Sequence, residues 1–212
     1  MIRQDYIEIN NITEAPARKT ACRDYGIELD PKTFEQTLTS TTKIIGIKGT
    51  SATIQKFLFR QNWTCVKLSI RENNPDLANC LYCPGIGKTE HSYIECIIAE
   101  KIWKILDKIL HKAFNFHIPM QPTNLIFFQN NAHSEKGAKC AITDMHATTL
   151  CTLQKIHLAE EELTDMQIHQ TSFRNLIKCC HANISINRYV NHYQMAYYAI
   201  IDTYKQNFRY TI

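Results

Sequence analysis

The sequence lacks any long run of apolar residues. None of its apolar stretches approaches the ~18 to 20 residues that a membrane-spanning helix requires, and residues 1–20 lack the apolar centre of a secretory signal. Because thiols stay reduced in the cytosol and nucleus, the nine cysteines of such a chain favour metal binding over a disulfide framework. We therefore expect an intracellular protein without membrane contact, and the choice between nucleus and cytoplasm stays open.

The sequence patterns of several enzyme classes are also missing. The chain has no Tyr-x-Asp-Asp polymerase motif, no set of acidic residues spaced for two-metal chemistry and no glycine-rich loop for nucleotide phosphates. A nucleophilic site built from Cys140, His146, Cys151 and His157 would need an orienting third group and a pocket. We expect no enzymatic activity and no small-molecule substrate.

Strand patterns are nearly absent, whereas helical periodicity is frequent. The clearest stripe of apolar residues runs through residues 95–112 with Trp103 beside it. Its members recur at helical spacing: Ile98, Ile102, Ile105 or Leu106, Ile109 and Leu110. Further helices are predicted at residues 51–61, 64–70, 138–162, 166–181 and 187–206, with a loop at 114–122 and a polar break at 183–187.

Four soft or borderline metal ligands stand close together in the middle of the chain. Their spacing is Cys-x2-Cys-x7-His-x4-Cys, formed by Cys80, Cys83, His91 and Cys96. Zinc prefers tetrahedral thiolate and imidazole donors, and four protein ligands leave no position for a substrate or water. Proline and glycine at 84, 85 and 87 supply a turn, since glycine tolerates positive dihedrals that let amides approach the sulfurs. The spacing predicts one structural zinc ion.

Basic residues are concentrated around this cluster. Residues 43–112 contain 11 Lys and Arg against 6 Asp and Glu, a surplus of +5. Four lysines share one face of the helix predicted at 95–112, and a fifth precedes the histidine ligand: Lys101, Lys104, Lys108, Lys112 and Lys88. The face predicts either phosphate contacts with nucleic acid or the solvated side of an ordinary amphipathic helix.

The same stretch resembles the zinc-binding region of non-LTR retrotransposon reverse transcriptases. The resemblance covers about residues 50–112 and rests on Cys80-x2-Cys83, on Thr-Glu before His91, on Cys96 and on Trp103 in the following apolar helix. In that family the region lies downstream of the polymerase and helps to hold template nucleic acid. The resemblance therefore implies a non-catalytic zinc module, detached from its polymerase, that contacts RNA or DNA.

Two patterns further along have competing interpretations. Cys179-Cys180-His181 suggests a second metal site, but adjacent helical residues point in different directions, which favours core cysteines. Tyrosines at 189, 193, 197 and 204 can stack on bases, yet core packing with hydroxyls at the rim is the commoner use.

We therefore predict a mostly α-helical protein with three regions. Residues 1–42 form a polar, poorly ordered leader, 43–115 a zinc-binding helical domain with short helices around the knuckle, and 116–212 a C-terminal helical bundle. The function that we expect is a structural-zinc module that contacts nucleic acid. The alternative is a zinc-stapled module that binds a protein partner.

Overall fold

The computed structural model describes residues 18–19, 22, 30–32, 34–36, 63–127, 135–159, 161–186 and 191–207. These residues are mostly helical, with short helices around a Cys/His cluster followed by a helical bundle, which confirms the predicted fold class. Within the same ranges no β-strand forms, and Asn79 and Ile86 make an isolated antiparallel bridge. Most of the predicted leader and the helix predicted at 51–61 lie outside the described residues.

The first helix, α1, spans Cys65–Arg71 and agrees with the prediction for 64–70. Thr64 begins it, because its side-chain oxygen accepts a hydrogen bond from the Lys67 amide that the helix leaves unpaired, at 3.2 Å. The chain then turns through Asn73, whose φ of 49° lies in the left-handed region. A 3-10 turn follows at Pro75–Ala78.

Helix α2 spans Ile97–Phe114 and carries the predicted apolar stripe. Leu106 is buried in the core, while Ile105 is only partly buried, so the stripe runs through Leu106. Trp103 is buried beside it and donates its indole N–H to the Tyr93 carbonyl at 2.9 Å. The helix ends at Asn115, a left-handed residue whose N–H bonds to a carbonyl of the last turn.

The remaining helices differ in part from the predicted bounds. They are α3 at Pro122–Phe127, α4 at Lys136–His157, α5 at Asp165–Ile186 and α6 at Asn191–Asn207. The sequence did not predict α3. Helix α4 ends earlier than predicted, and α5 starts after Thr164, whose hydroxyl and the Gln167 side chain cap its first turn reciprocally. The predicted polar break is wrong at its start, because α5 runs through the buried Asn183.

Helix α4 lies at the centre of the packing and contacts α2, α5 and α6. Most of its residues are buried, including Asp144, which accepts a hydrogen bond of 2.6 Å from the Tyr197 hydroxyl of α6. One apolar core joins α2 to the bundle and so continues across the predicted boundary at 115/116. Among the described residues, no helix combines the length and the apolarity needed to cross a bilayer.

Leu110 on α2 tests this packing. Its side chain is fully buried in the shared core, so Leu110→Ala removes apolar contacts and leaves a cavity. We expect the free energy of unfolding to fall by about 2 to 5 kcal/mol. Denaturant titration would measure it, with Met195→Ala on the exposed side of α6 as the control. A loss as small as that of the control would contradict the placement of α2 in the core.

Candidate metal centre

A short loop between the 3-10 turn and a helical turn presents the first two cysteines. The Asn79–Ile86 bridge closes the loop at its base. Inside it, the Cys80 amide donates to the Gly85 carbonyl at 2.8 Å, and the Gly85 amide donates to the Cys83 carbonyl at 2.7 Å. These bonds bend the backbone tightly enough to bring both thiols to one side.

The other two ligands stand at the ends of a π-helical turn, His91–Glu95. The Cys96 amide donates to the His91 carbonyl at 2.8 Å, which is an i to i+5 hydrogen bond. A π-helical turn is wider than an α-helical one. It lets His91 and Cys96, which are five positions apart in the sequence, both reach the cysteine loop. Cys96 is also the residue before α2, so its sulfur lies at the positive end of an 18-residue helix.

The four side chains are spaced like the ligands of a metal ion with tetrahedral coordination. Sγ of Cys96 lies 3.7 Å from Sγ of Cys80 and 3.9 Å from Sγ of Cys83. His91 Nε2 lies 3.2 Å from Cys83 Sγ, and all four donor atoms lie within 4.8 Å of one another. Because a zinc–sulfur bond of about 2.3 Å implies sulfur separations of about 3.8 Å in a tetrahedron, the cluster fits one metal ion.

A carboxylate stands behind the histidine ligand. Glu95 Oε2 lies 3.8 Å from His91 Nδ1, the ring nitrogen that faces away from the cysteines. At 3.8 Å this exposed carboxylate is beyond hydrogen-bond distance, so it does not fix the ring as hydrogen-bonded carboxylates fix other metal-bound imidazoles. The arrangement leaves Nε2 for the ion.

Burial keeps two of the thiols protonated until a cation arrives. It raises the pKa of Cys80 and raises the pKa of Cys96 to about 12, because a buried thiolate loses its hydration. The Tyr82 amide opposes the shift at Cys80 by donating to its sulfur at 3.4 Å. A bound cation supplies the charge that turns these thiols into thiolate ligands.

The two glycines of the loop are required for space rather than for backbone freedom. Neither Gly85 nor Gly87 has a φ in the left-handed region, which differs from the positive dihedrals expected from the sequence. A Cβ at position 85 would overlap the His91 ring, at 2.7 Å from both of its nitrogens. A Cβ at position 87 would lie 2.7 Å from the sulfur of Cys65. Each glycine therefore allows a close approach that a side chain would prevent.

Residues far away in the sequence complete the surroundings of the cluster. Cys65 of α1 donates its thiol to the His157 carbonyl at 3.3 Å. The Tyr82 hydroxyl donates to the Ile156 carbonyl at 3.2 Å and accepts from the Leu163 amide at 3.4 Å. The loop that carries the cysteines is thereby bound to the end of α4. No sequence signal identifies these partners, since their contacts depend on how distant segments pack.

His157 also lies against the cluster, with its ring Nδ1 3.9 Å from Cys80 Sγ. Its side chain is buried beside Cys80, and burial lowers its pKa to about 4, with His91 acting in the same direction and the Ser92 backbone opposing. The imidazole is therefore neutral at physiological pH. A neutral ring beside the thiols adds no positive charge to compete with a metal ion.

The five predicted phosphate-contacting lysines are all exposed. Lys101 forms an ion pair with Asp165 of α5 at 2.9 Å, and Lys104 pairs with Glu100 one turn earlier on α2. Among the described residues, no carboxylate lies within ion-pair distance of Lys88 or Lys108. The helix face is thus less positive than its sequence indicates.

Of the other sequence patterns, the described cysteines and tyrosines lie in the core or against it, while Tyr189 and the side chain of Tyr193 lie outside the described part of the chain. Cys179 and Cys180 are fully buried while His181 is exposed, so these neighbours do not converge on a second ion. Tyr197 is buried, and Tyr204 stacks on Phe173 with 3.7 Å between ring centroids. Within the described residues, the Cys80 cluster is the one group of three or more potential ligands that could hold a metal.

No protein-family model and no curated protein sequence matches the chain.

Gly85→Ala tests the geometry of the cluster. The added methyl group overlaps the His91 ring, which must shift from the position in which it meets the cysteines. We expect metal affinity, measured with Co²⁺ as the probe, to fall by about 10-fold or more, as when a residue that orients a ligand is lost. Leu81→Ala changes an exposed side chain of the same loop and is the control. Equal affinities for the two variants would contradict the close approach at Gly85.

Proposed function

We propose that the protein is a non-catalytic module organised by one structural zinc ion, held by Cys80, Cys83, His91 and Cys96. The observation that carries the proposal is the convergence of three sulfurs and one imidazole nitrogen within 4.8 Å. Soft thiolates with one imidazole select zinc over the hard cations that oxygen ligands bind. Four protein ligands close the coordination shell, so the site suits structure rather than hydrolysis.

The zinc ion acts on the fold through the elements that its ligands join. Two ligands come from the loop at 80–85 and two from the turn that leads into α2. Without a cation, the buried thiols hold these segments through weak contacts between sulfurs and to His91. With zinc bound, four coordination bonds replace those contacts, and structural zinc contributes on the order of 10 kcal/mol in small peptides.

Elemental analysis of the purified chain tests the zinc assignment. We expect about one zinc per chain, which is the content of a closed site with four ligands. Removal by a chelator should lower the thermal unfolding temperature, because folding and metal binding are coupled. Cys83→Ser should lose the metal, whereas Cys151→Ser, which changes a half-buried cysteine of α4, should retain it. A chain without metal that does not respond to the chelator would remove the proposal.

We propose nucleic acid, either RNA or DNA, as the partner. The resemblance of residues 50–112 to the zinc-binding region of retrotransposon reverse transcriptases supports this partner, as does the basic surface around the cluster. Because Lys101 and Lys104 are paired with carboxylates, Lys88 and Lys108 are the lysines that we expect to contribute most to phosphate contacts. Thiol ligands that stay reduced fit a place inside the cell.

A protein partner is the second candidate, favoured by exposed apolar side chains near the cluster. Leu81 and Ile86 belong to the cysteine loop itself and are 43% and 53% exposed. Trp63, before α1, is 44% exposed with the Arg71 guanidinium 4.6 Å above its ring. Solvent-exposed apolar and aromatic groups of this kind are common in protein interfaces.

Charge reversal distinguishes the two partners. We expect single-stranded RNA to bind with an affinity that falls steeply as salt rises, since phosphate contacts release counterions. Lys88→Glu with Lys108→Glu should weaken that binding by about 10-fold or more and flatten its salt dependence. Lys178→Glu with Lys205→Glu makes the same change of charge at exposed positions on α5 and α6 and should have less effect. Fluorescence anisotropy measures both.

Absence of salt-dependent binding to RNA and to DNA would remove the nucleic-acid proposal and leave the protein-partner candidate. Equal losses in the two double variants would show that net charge, rather than the surface near the zinc, governs binding. That result would contradict the assignment of Lys88 and Lys108.

A further inference from the structure

His157 lies against the metal-ligand cluster without being one of its four members. Its Nδ1 atom is 3.9 Å from Cys80 Sγ, at the outer limit of a hydrogen bond to sulfur. The four ligand atoms already complete a group within 4.8 Å of one another. His157 therefore occupies the position of a residue that supports a ligand from outside the coordination shell.

The position of His157 is held by one contact to its ring and by hydrogen bonds to the backbone of its helix end. Tyr82 meets it edge-on, with 5.7 Å between centroids and an angle of 89°. The Cys65 thiol donates to the carbonyl of His157, and the Tyr82 hydroxyl donates to the carbonyl one residue before it. The two hydrogen bonds hold the backbone at the end of α4, and the Tyr82 ring restricts how the imidazole can turn.

When the metal ion is bound, the negative charge on the sulfurs requires hydrogen-bond donors around them. Three thiolates with one divalent cation leave a net charge of −1 in a mostly buried site. Buried negative charge is tolerated when N–H groups point at it. Cys80 receives one such bond from the Tyr82 amide at 3.4 Å, and His157 approaches the same sulfur.

The contacts of the His157 ring indicate which of its nitrogens donates. Among the described residues, Nε2 of His157 makes no hydrogen bond of normal geometry, although the Ser92 backbone acts on the ring, whereas Nδ1 faces the Cys80 sulfur. With the ion bound, a proton on Nδ1 gains the Cys80 thiolate as its acceptor, and a charged acceptor makes a stronger hydrogen bond than a neutral one. The tautomer with Nδ1–H is the favoured one.

We infer that His157 is a positioning residue of the metal centre, which donates a hydrogen bond from Nδ1 to the Cys80 thiolate when the ion is bound. This inference rests on the proposed zinc site. It makes the affinity for the ion depend on α4, whose last residue lies 77 positions from Cys80 in the sequence. The end of the central helix thus becomes part of the metal centre.

Two substitutions of similar size separate hydrogen bonding from packing. His157→Leu removes the donor, whereas His157→Asn keeps an N–H group close to the place of Nδ1. We expect His157→Leu to lower zinc affinity in the full chain by about 10-fold or more, and His157→Asn to recover most of that loss. Competition with a chromophoric chelator measures both, with His181→Leu at an exposed position of α5 as the control.

Cobalt substitution adds a readout that packing alone would not change. A hydrogen bond to a thiolate stabilises the sulfur electrons and raises the energy of the thiolate-to-cobalt charge-transfer band. We expect this band to move to lower energy in His157→Leu and to return in His157→Asn. The d–d bands of tetrahedral Co²⁺ should keep their pattern in both, because the four ligands are unchanged.

Each other outcome overturns the inference in a recognisable way. If both variants lose zinc affinity equally and the charge-transfer band does not move, His157 contributes through packing alone. An unchanged affinity in His157→Leu removes the role while zinc binding stands. Loss of the nitrogen ligand from the cobalt spectrum in His157→Leu, but not in His91→Ala, makes His157 a ligand. A wild-type chain that binds neither metal removes the zinc proposal together with this one.

Discussion

Cys96 joins the metal-ligand cluster to the helical core. Its sulfur belongs to the cluster, its amide closes the π-helical turn that begins at His91, and its carbonyl accepts a hydrogen bond from Glu100 in the first turn of α2. Because α2 carries the buried stripe around Trp103, the position of this one residue relates the cysteine loop to the whole core. A bound cation would therefore restrain the start of α2 as well as the loop.

The cysteine loop is bound to the bundle by polar contacts as well as by the packing of Cys80 and Tyr82 against the core. Tyr82 bridges the end of α4 and the segment before α5, and Cys65 bonds to the carbonyl of His157. Such contacts are directional, so each requires the loop to keep its shape. The four ligands define that shape, and the bundle in turn places His157 beside them. Metal binding and bundle packing thus support each other.

The apolar pattern at 95–112 predicted α2 correctly, because a stripe at helical spacing has few other ways to be buried. The bounds of the later helices were less predictable. Asn183 is polar and reads as a break, but inside α5 its amide donates to the Cys179 carbonyl, which lets the helix continue. The ion pair of Lys101 with Asp165 could not be predicted from the sequence either, since it joins residues on two different helices.

The sequence by itself determined the helical class and the four candidate ligands, because ligand spacing and helical periodicity are local properties of the chain. Only the tertiary structure decided what surrounds them. Gly85 is needed for the approach of the His91 ring, and His157 meets Cys80 from a distant helix. These contacts follow from how separate segments pack in space, and packing between residues far apart in the sequence leaves no periodic or spacing signal to read.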